Sequence, residues 1–296
     1  MHEDISMTRE RDPVRIAAAV IVYVVTFVAA QSACDWLLST RGTLAGVVTR
    51  LAAALVANWL ALRIFEDRGL GAIGMAANRT AARNAAAGLA GGIGAACLVL
   101  VPPLLTGAAH LARAAGPPVN GAIPVAIVLL AAGSIGEEML FHGYAFQILL
   151  GALGRYATIL AVGAVFALMH GANPNATWFG LVNTAGFGIL FGYAFLRSRD
   201  LWLPIGLHFG WNCTLPLFGV NLSGLKMGVT GHEMVWTAGA LWSGGEYGPE
   251  ASVLTSAVLL LLFVAVSRAP VRRQVSPLTD PPAESPLCEP SPPSRS

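Results

Sequence analysis

The segment from Ile123 to Leu150 reads IPVAIVLLAAGSIGEEMLFHGYAFQILL, and it decides the fold of the chain. It is longer than the roughly 20 apolar residues that a helix needs to cross a bilayer. Its continuous Ala- and Leu-rich runs predict helix, whereas membrane strands alternate polar and apolar residues. Two adjacent glutamates, Glu137 and Glu138, lie in the middle of the run, and His142 follows one turn later. We therefore predict a membrane-spanning helix that carries ionisable groups inside the bilayer.

Seven other stretches are apolar, although two of the eight are short. Apolar residues form 55% of the sequence and charged residues only 11%, against roughly 25% charged residues in an average soluble domain. So few charges cannot cover a water-facing surface, which excludes an ordinary soluble enzyme and a disordered protein. A net charge of +2 indicates no nucleic-acid partner. The sequence predicts an all-α polytopic transmembrane bundle of about eight helices, at Val14–Cys34, Thr43–Ile64, Asn84–Leu105, Ile123–Leu150, Tyr156–His170, Ala176–Leu196, Trp202–Phe218 and Ala251–Val266.

The distribution of basic residues predicts the orientation of these spans. Cytoplasmic loops of membrane proteins carry an excess of Lys and Arg. With the N-terminus inside, fourteen basic residues fall on the cytoplasmic side and three on the other side. Arg50 lies within the second span, and we expect its side chain to extend to the outer surface. An N-in, C-in orientation follows, which places the long loop Gly219–Glu250 outside.

The two ends of the chain are expected to lie outside the bundle. Residues 1–13 form a cytoplasmic N-terminal segment, and residues 14–268 form the transmembrane bundle. Residues 269–296 are rich in Pro and Ser, a composition that predicts a disordered tail.

Polar residues recur at overlapping depths in three of the spans. Glu138 and His142 are four residues apart and can pair on one helix face, whereas Glu137 points about 100° away from its neighbour. With a rise of 1.5 Å per residue, these groups lie between about 10 and 22 Å from the cytoplasmic ends of their helices. The side chains that we expect to converge are those of Glu137, His170, His208 and Asn212, with Glu138 and His142 as a supporting pair.

Ionisable groups inside a span are costly, and they indicate function. A carboxylate beside an imidazole can take a proton from water, and imidazole and amide N–H groups can stabilise the oxyanion of an attacked peptide carbonyl. The cluster therefore predicts a hydrolytic site. Three alternatives stay open: a polar network that only fixes helix packing, a non-catalytic partner-binding or immunity protein, and a small proton-coupled transporter.

Three short motifs resemble those of the CPBP family of intramembrane proteases, also called the CAAX-protease or ABI family. Glu137 and Glu138 match the glutamate pair of the first motif, but His142 stands where the family has Arg. The segment Phe166–His170 matches the Phe-x-x-x-His motif, and His208–Asn212 matches the His-x-x-x-Asn motif. The resemblance covers a core of about residues 123–217.

The resemblance implies a glutamate-type peptidase in which Glu137 and His170 activate water. It also implies that His208 and Asn212 stabilise the oxyanion, with Glu138 in a supporting role. The histidine that replaces the family Arg would give Glu138 a shorter partner whose charge depends on pH.

Nothing in the sequence requires a cofactor, although a Glu and two His side chains are compatible with a divalent metal such as zinc. The expected partners are a peptide or protein substrate in the membrane and the lipid bilayer, with no nucleic acid. The Ala- and Arg-rich, Lys-poor composition favours a multi-pass protein of a bacterial inner membrane. The sequence does not indicate an oligomeric state.

Overall fold

A computed structural model describes residues 12–37, 43–115 and 122–280, and most of them are helical. The described part of the N-terminal segment is short, since residues 1–11 lie outside these ranges. The main elements in chain order are α1 (Pro13–Leu37), α2 (Thr43–Phe65), α3 (Arg79–Thr106), β1 (Ala109–Arg113), α4 (Ala122–His142), α5 (Tyr144–Leu153), α6 (Arg155–His170), α7 (Trp178–Ser198), α8 (Trp202–Leu217), β2 (His232–Trp236), α9 (Ala240–Ser243) and α10 (Val253–Arg268).

Seven of the eight apolar stretches form one helix each and the fourth forms two, which confirms the all-α transmembrane architecture. Within the described ranges, five segments are long and apolar enough to cross a membrane: Pro13–Leu37, Gly46–Phe65, Arg79–Thr106, Ala122–Leu153 and Trp178–Ser198. Helices α6, α8 and α10 have 16 residues each, or about 24 Å, and are therefore shorter than a typical hydrocarbon core. Nothing in the structure places a bilayer, so the N-in, C-in orientation stays a prediction.

The fourth span differs from the continuous helix that its sequence predicts, because it breaks between α4 and α5 at Gly143. The buried side chain of Asn58, on α2, holds the break: its Oδ1 accepts from the Tyr144 N–H at 2.8 Å, and its Nδ2 donates to the Met139 carbonyl at 3.0 Å. The Tyr23 hydroxyl contacts that same carbonyl oxygen at 3.0 Å. A Cβ at Gly143 would lie 2.1 Å from the Met139 oxygen, so the break requires glycine here.

Helices α3 and α8 pack backbone to backbone through four glycines. A Cβ at Gly88 or Gly92 would lie 2.3 or 2.2 Å from a carbonyl oxygen of α8, and one at Gly206 or Gly210 would lie 2.3 or 2.5 Å from a carbonyl oxygen of α3. Small residues let membrane helices approach closely when no hydrophobic effect drives their association. This contact sets the position of α8, the helix that carries His208.

The loop Gly219–Glu250 is folded rather than open. Its strand β2 pairs antiparallel with β1, in a register that places Ala109 opposite Trp236 and Arg113 opposite His232. Two short 3₁₀ turns follow, at Gly245–Tyr247 and Pro249–Ala251, and lead into α10. Together they form a cap over one end of the bundle, at the C-terminal ends of α3, α6 and α8.

Residues 269–280 also differ from expectation, because they pack against the opposite end of the bundle instead of forming part of a disordered tail. Asp280 accepts from the Ser276 N–H at 2.8 Å and from Arg273 at 2.8 Å, and Arg199 lies 3.6 Å away. These contacts hold the pKa of the Asp280 carboxyl below its usual value, although partial burial acts in the other direction. Composition alone does not reveal such anchors. The rest of the predicted tail, residues 281–296, lies outside the described part of the chain.

The α3–α8 contact gives a direct test of the packing. Gly92→Ala should destabilise the fold by about 1–3 kcal/mol, because the added methyl group has to displace the α8 backbone. Gly94→Ala is the matched control on the same helix, since a Cβ there meets nothing within 4 Å. Thermal unfolding of the two variants in detergent checks this, and equal midpoints would contradict the packing described.

Candidate active site

Helices α4, α6 and α8 bring the predicted polar residues to one cavity of about 730 Å³. Glu137, His170, His208 and Asn212 all line it, together with residues of α1, α2, α7 and the cap. Glu138 and His142 lie directly behind this wall and are fully buried. The four residues expected to converge therefore line a single cavity, and the supporting pair lies against it.

The Glu138 carboxylate binds two imidazoles at once. Its Oε2 lies 2.7 Å from His142 Nδ1, one turn along α4, and its Oε1 lies 2.8 Å from His208 Nδ1 on α8. A buried carboxylate is stable only where such partners satisfy both of its oxygens. The predicted pairing of Glu138 with His142 on one helix face is present, and the second bond joins α4 to α8.

His142 stands where the CAAX-protease family has Arg, and its two ring nitrogens contact two different helices. Its Nε2 lies 3.2 Å from the carbonyl oxygen of Gly188, on α7. Because a carbonyl only accepts, this nitrogen carries a hydrogen. Its other nitrogen, Nδ1, faces Glu138, so both ring nitrogens have a hydrogen-bond partner. A Cβ at Gly188 would lie 3.0 Å from Gly163 and Phe166 of α6, so this glycine permits close packing of α7 against α6.

Glu137 has a different environment from its neighbour, because its side chain is 14% exposed to the cavity. Its Oε1 accepts from Arg50 Nη1, on α2, at 2.7 Å. Its Oε2 lies 4.0 Å from His170 Nε2 and 3.8 Å from His208 Nε2. Those separations are too long for direct hydrogen bonds but suit a single bridging water. One oxygen is therefore held by a cation, and the other faces both imidazoles.

The Phe166–His170 motif orients the imidazole ring of His170. His170 Nδ1 lies 2.8 Å from the Phe166 carbonyl oxygen, one turn earlier on α6. Since that oxygen only accepts, Nδ1 carries a hydrogen, and Nε2 points towards Glu137. The Phe166 ring lies against the imidazole with a centroid separation of 4.6 Å, which limits its rotation.

His208 and Asn212 lie one turn apart on α8 and face the same cavity, as their spacing predicts. The His208 ring stacks on Phe191 of α7, with the centroids 4.8 Å apart and the planes 15° apart. This stacking and the bond to Glu138 orient its Nε2 towards Glu137. The His208 Nε2 atom and the Asn212 amide thus lie on one face of the cavity.

Arg50 was predicted to extend to the outer surface, but the structure pairs it with Glu137. Half of its side chain is exposed, so the ion pair forms at the wetted wall of the cavity. The presence of an arginine inside an apolar span is the sequence feature that indicates a functional role for Arg50. Its partner could not be deduced from sequence, because it lies 87 positions away on another helix.

Glu250 is a second residue of the cavity that the sequence does not reveal. It is buried at the start of α10, where its carboxylate accepts from the backbone N–H and the hydroxyl of Ser223 and from the Trp211 indole. Burial raises the pKa of the Glu250 carboxyl, and the two Ser223 bonds act against that rise. Glu250 thereby ties the cap to α8 and to the cavity wall.

The described part of the chain contains no group of three or more His, Cys, Asp or Glu side chains arranged to hold a metal ion. Instead, basic side chains alternate with carboxylates across the site. Arg50 contacts Glu137, Glu137 faces His208, and Glu138 lies between His208 and His142.

Residues 118–214 match a family model described as type II CAAX prenyl endopeptidase, Rce1-like. The resemblance to the CAAX-protease family is confirmed. The matched region is 97 of the 296 residues and contains all six predicted site residues. No curated protein matches the chain. The family is one of proteases, which supports a membrane-embedded hydrolase, and its members' motif residues lie here on α4, α6 and α8.

The two adjacent glutamates should respond differently to replacement. Glu138→Ala should lower the free energy of unfolding by about 3 kcal/mol or more, because it leaves two buried imidazoles without their acceptor. Glu137→Ala should cost much less, since Arg50 is half-exposed and can be hydrated. Thermal unfolding in detergent measures both, and a larger loss in Glu137→Ala would contradict the assigned environments.

Proposed function

We propose that the protein is an intramembrane endopeptidase that hydrolyses peptide bonds with water activated by Glu137 and His170. The observation that carries this proposal is the position of Glu137 Oε2, which lies 4.0 Å from His170 Nε2 and 3.8 Å from His208 Nε2 at the wall of one cavity. A water between these atoms would meet a carboxylate and an oriented imidazole together. The match to a protease family supports the same reaction.

The proposed reaction uses each group once. Glu137 accepts a proton from the water as the water oxygen bonds to the peptide carbonyl carbon, and His170 Nε2 orients that water. The carbonyl oxygen becomes an oxyanion, which His208 Nε2–H and the Asn212 amide stabilise. The C–N bond then breaks, and Glu137 returns its proton to the leaving amine. Glu138 accepts a hydrogen bond from His208 Nδ1. When the ring is protonated, Nε2 also carries a hydrogen, which it donates to the oxyanion.

We propose as substrates polypeptides that are associated with the membrane, including signal peptides at protein C-termini, and we place the protein in a bacterial inner membrane. Apolar side chains from α1, α4 and α6 line much of the cavity, which suits a chain that leaves the lipid phase. The Lys-poor composition and the low net charge support a bacterial membrane location with no nucleic-acid partner. The reaction as proposed needs only side chains and water.

Glu137→Gln tests the proposed function. The variant should lose at least about 100-fold in activity, because an amide cannot accept the proton of water at neutral pH. Glu246→Gln is the control, an exposed glutamate of the cap, and it should remain active. Proteomic comparison of protein termini in membranes of expressing cells measures both. Termini that persist with Glu137→Gln would end the proposed mechanism, and activity that a chelator removes and zinc restores would assign the chemistry to a metal.

Arg50 gives a second test, as a positioning residue that acts through Glu137. Arg50→Gln should lower kcat by about tenfold with little change in KM, because a charge-assisted hydrogen bond to the base is lost. Arg50→Lys should restore much of the rate, since it keeps the charge. Arg63→Gln, at the other end of α2, should have no effect. The same loss in Arg50→Lys and Arg50→Gln would show that the charge is not what matters.

A further inference from the structure

Most arginines of the described chain gather at one end of the bundle, with Arg50 and Arg113 as the exceptions. Arg15 begins α1 and donates to the Phe65 carbonyl at the end of α2. Arg197, at the end of α7, donates to the Val266 and Ala269 carbonyls at the end of α10. The same end holds further arginines at the termini of α2, α3, α6 and α10 and in the segment after α10, namely Arg63, Arg68, Arg79, Arg83, Arg155, Arg199, Arg268, Arg272 and Arg273.

The cavity opens at the other end. Its lining includes Asp35 in the last turn of α1, Arg50 two turns into α2, Asn173 just after α6 and Lys226 in the cap. In an up-and-down bundle these positions share one end, which is the end opposite the arginine-rich one. The β1–β2 pair lies there too and contains Arg113.

Between the cavity and the arginine-rich end, the bundle is closed. Glu138 and His142 are fully buried at the floor of the cavity. Beyond them, a cluster of large buried side chains from α5, α7 and the start of α8 fills the interior, including Tyr144, Phe146 and Phe195. Among the described residues, the cavity lining includes none from α5 or from residues 269–280. The described cavity therefore leads from Glu137 towards the capped end and not towards the arginine-rich one.

We propose that this site takes its substrate from the non-cytoplasmic side of the membrane. The arginine-rich end is the cytoplasmic one by the positive-inside rule, and the cavity opens away from it. The substrate class is then an exported polypeptide, or the outward-facing end of a membrane-spanning segment, rather than the cytoplasmic tail of a protein. This inference rests on the proposed function for the cleavage itself, and on the charge distribution for the side.

The cavity wall fits such a substrate. Apolar side chains, such as Leu129 and Met169, lie below a rim that carries charges of both signs at Asp35 and Lys226. A segment that leaves the outer leaflet would bury its apolar residues against the apolar lining and place its hydrated part beside the charged groups. The cap segment that contains Lys226 would lie over the bound chain.

Cysteine labelling in intact cells tests the side. In the full chain with its four cysteines replaced by serine, Lys226→Cys and Arg68→Cys exchange exposed basic residues at opposite ends. A membrane-impermeant maleimide should label Lys226→Cys in intact cells and Arg68→Cys only after detergent opens the membrane. Labelling of Arg68→Cys alone in intact cells would overturn the proposal, and full labelling of both in detergent confirms that each thiol is accessible.

Mapping of cleavage sites tests the substrate class. Termini present with the wild-type chain and missing with Glu137→Gln should map to exported segments or to the outer ends of spans. If they map to cytoplasmic segments, the inference fails while the proposed peptidase stands. If no terminus depends on Glu137, the proposed function fails, and the labelling experiment still decides on which face the cavity opens.

Discussion

The site depends on the carboxylate of Glu138, which is completely buried and binds His142 on its own helix and His208 on α8. An ionised group at that depth is tolerated only with partners on both oxygens. The helices must therefore hold a fixed relation, with α8 pressed onto α3 by glycines and α7 close enough to offer the Gly188 carbonyl to His142. The packing of the helices therefore also fixes the orientation of the imidazoles.

Adjacent glutamates become chemically distinct because a helix turns them to different neighbours. Glu138 meets two imidazoles in a closed interior, whereas Glu137 meets Arg50 and an open cavity. The replacement of the family Arg by His142 fits this division. Behind the site, the His142 imidazole lies between Glu138 and the Gly188 carbonyl, while Arg50 contacts Glu137 in front. Each carboxylate thus has its own partners.

Much of the bundle could be predicted from sequence, because the length of an apolar run is a local property. The convergence of Glu137, His170, His208 and Asn212 followed from helix geometry and alternating direction. What escaped prediction depends on contacts between distant segments: the break at Gly143 needs the amide of Asn58, and the ion pair of Glu137 needs Arg50 from α2. Likewise, the order of residues 269–280 depends on Asp280 meeting arginines rather than on composition.

A hydrolase within a bilayer has to admit water and polypeptide without opening a path across the membrane. Here, one end of the bundle is filled by packed aromatic side chains, and the other is covered by a folded loop. Glu250 connects that loop to the wall through Ser223 and Trp211, so the cover is anchored beside the site and not at a remote hinge. Because burial already raises the pKa of the Glu250 carboxyl, its protonation would weaken the hold on Ser223. Glu250 therefore joins the cap to the wall of the same cavity that Glu137 lines.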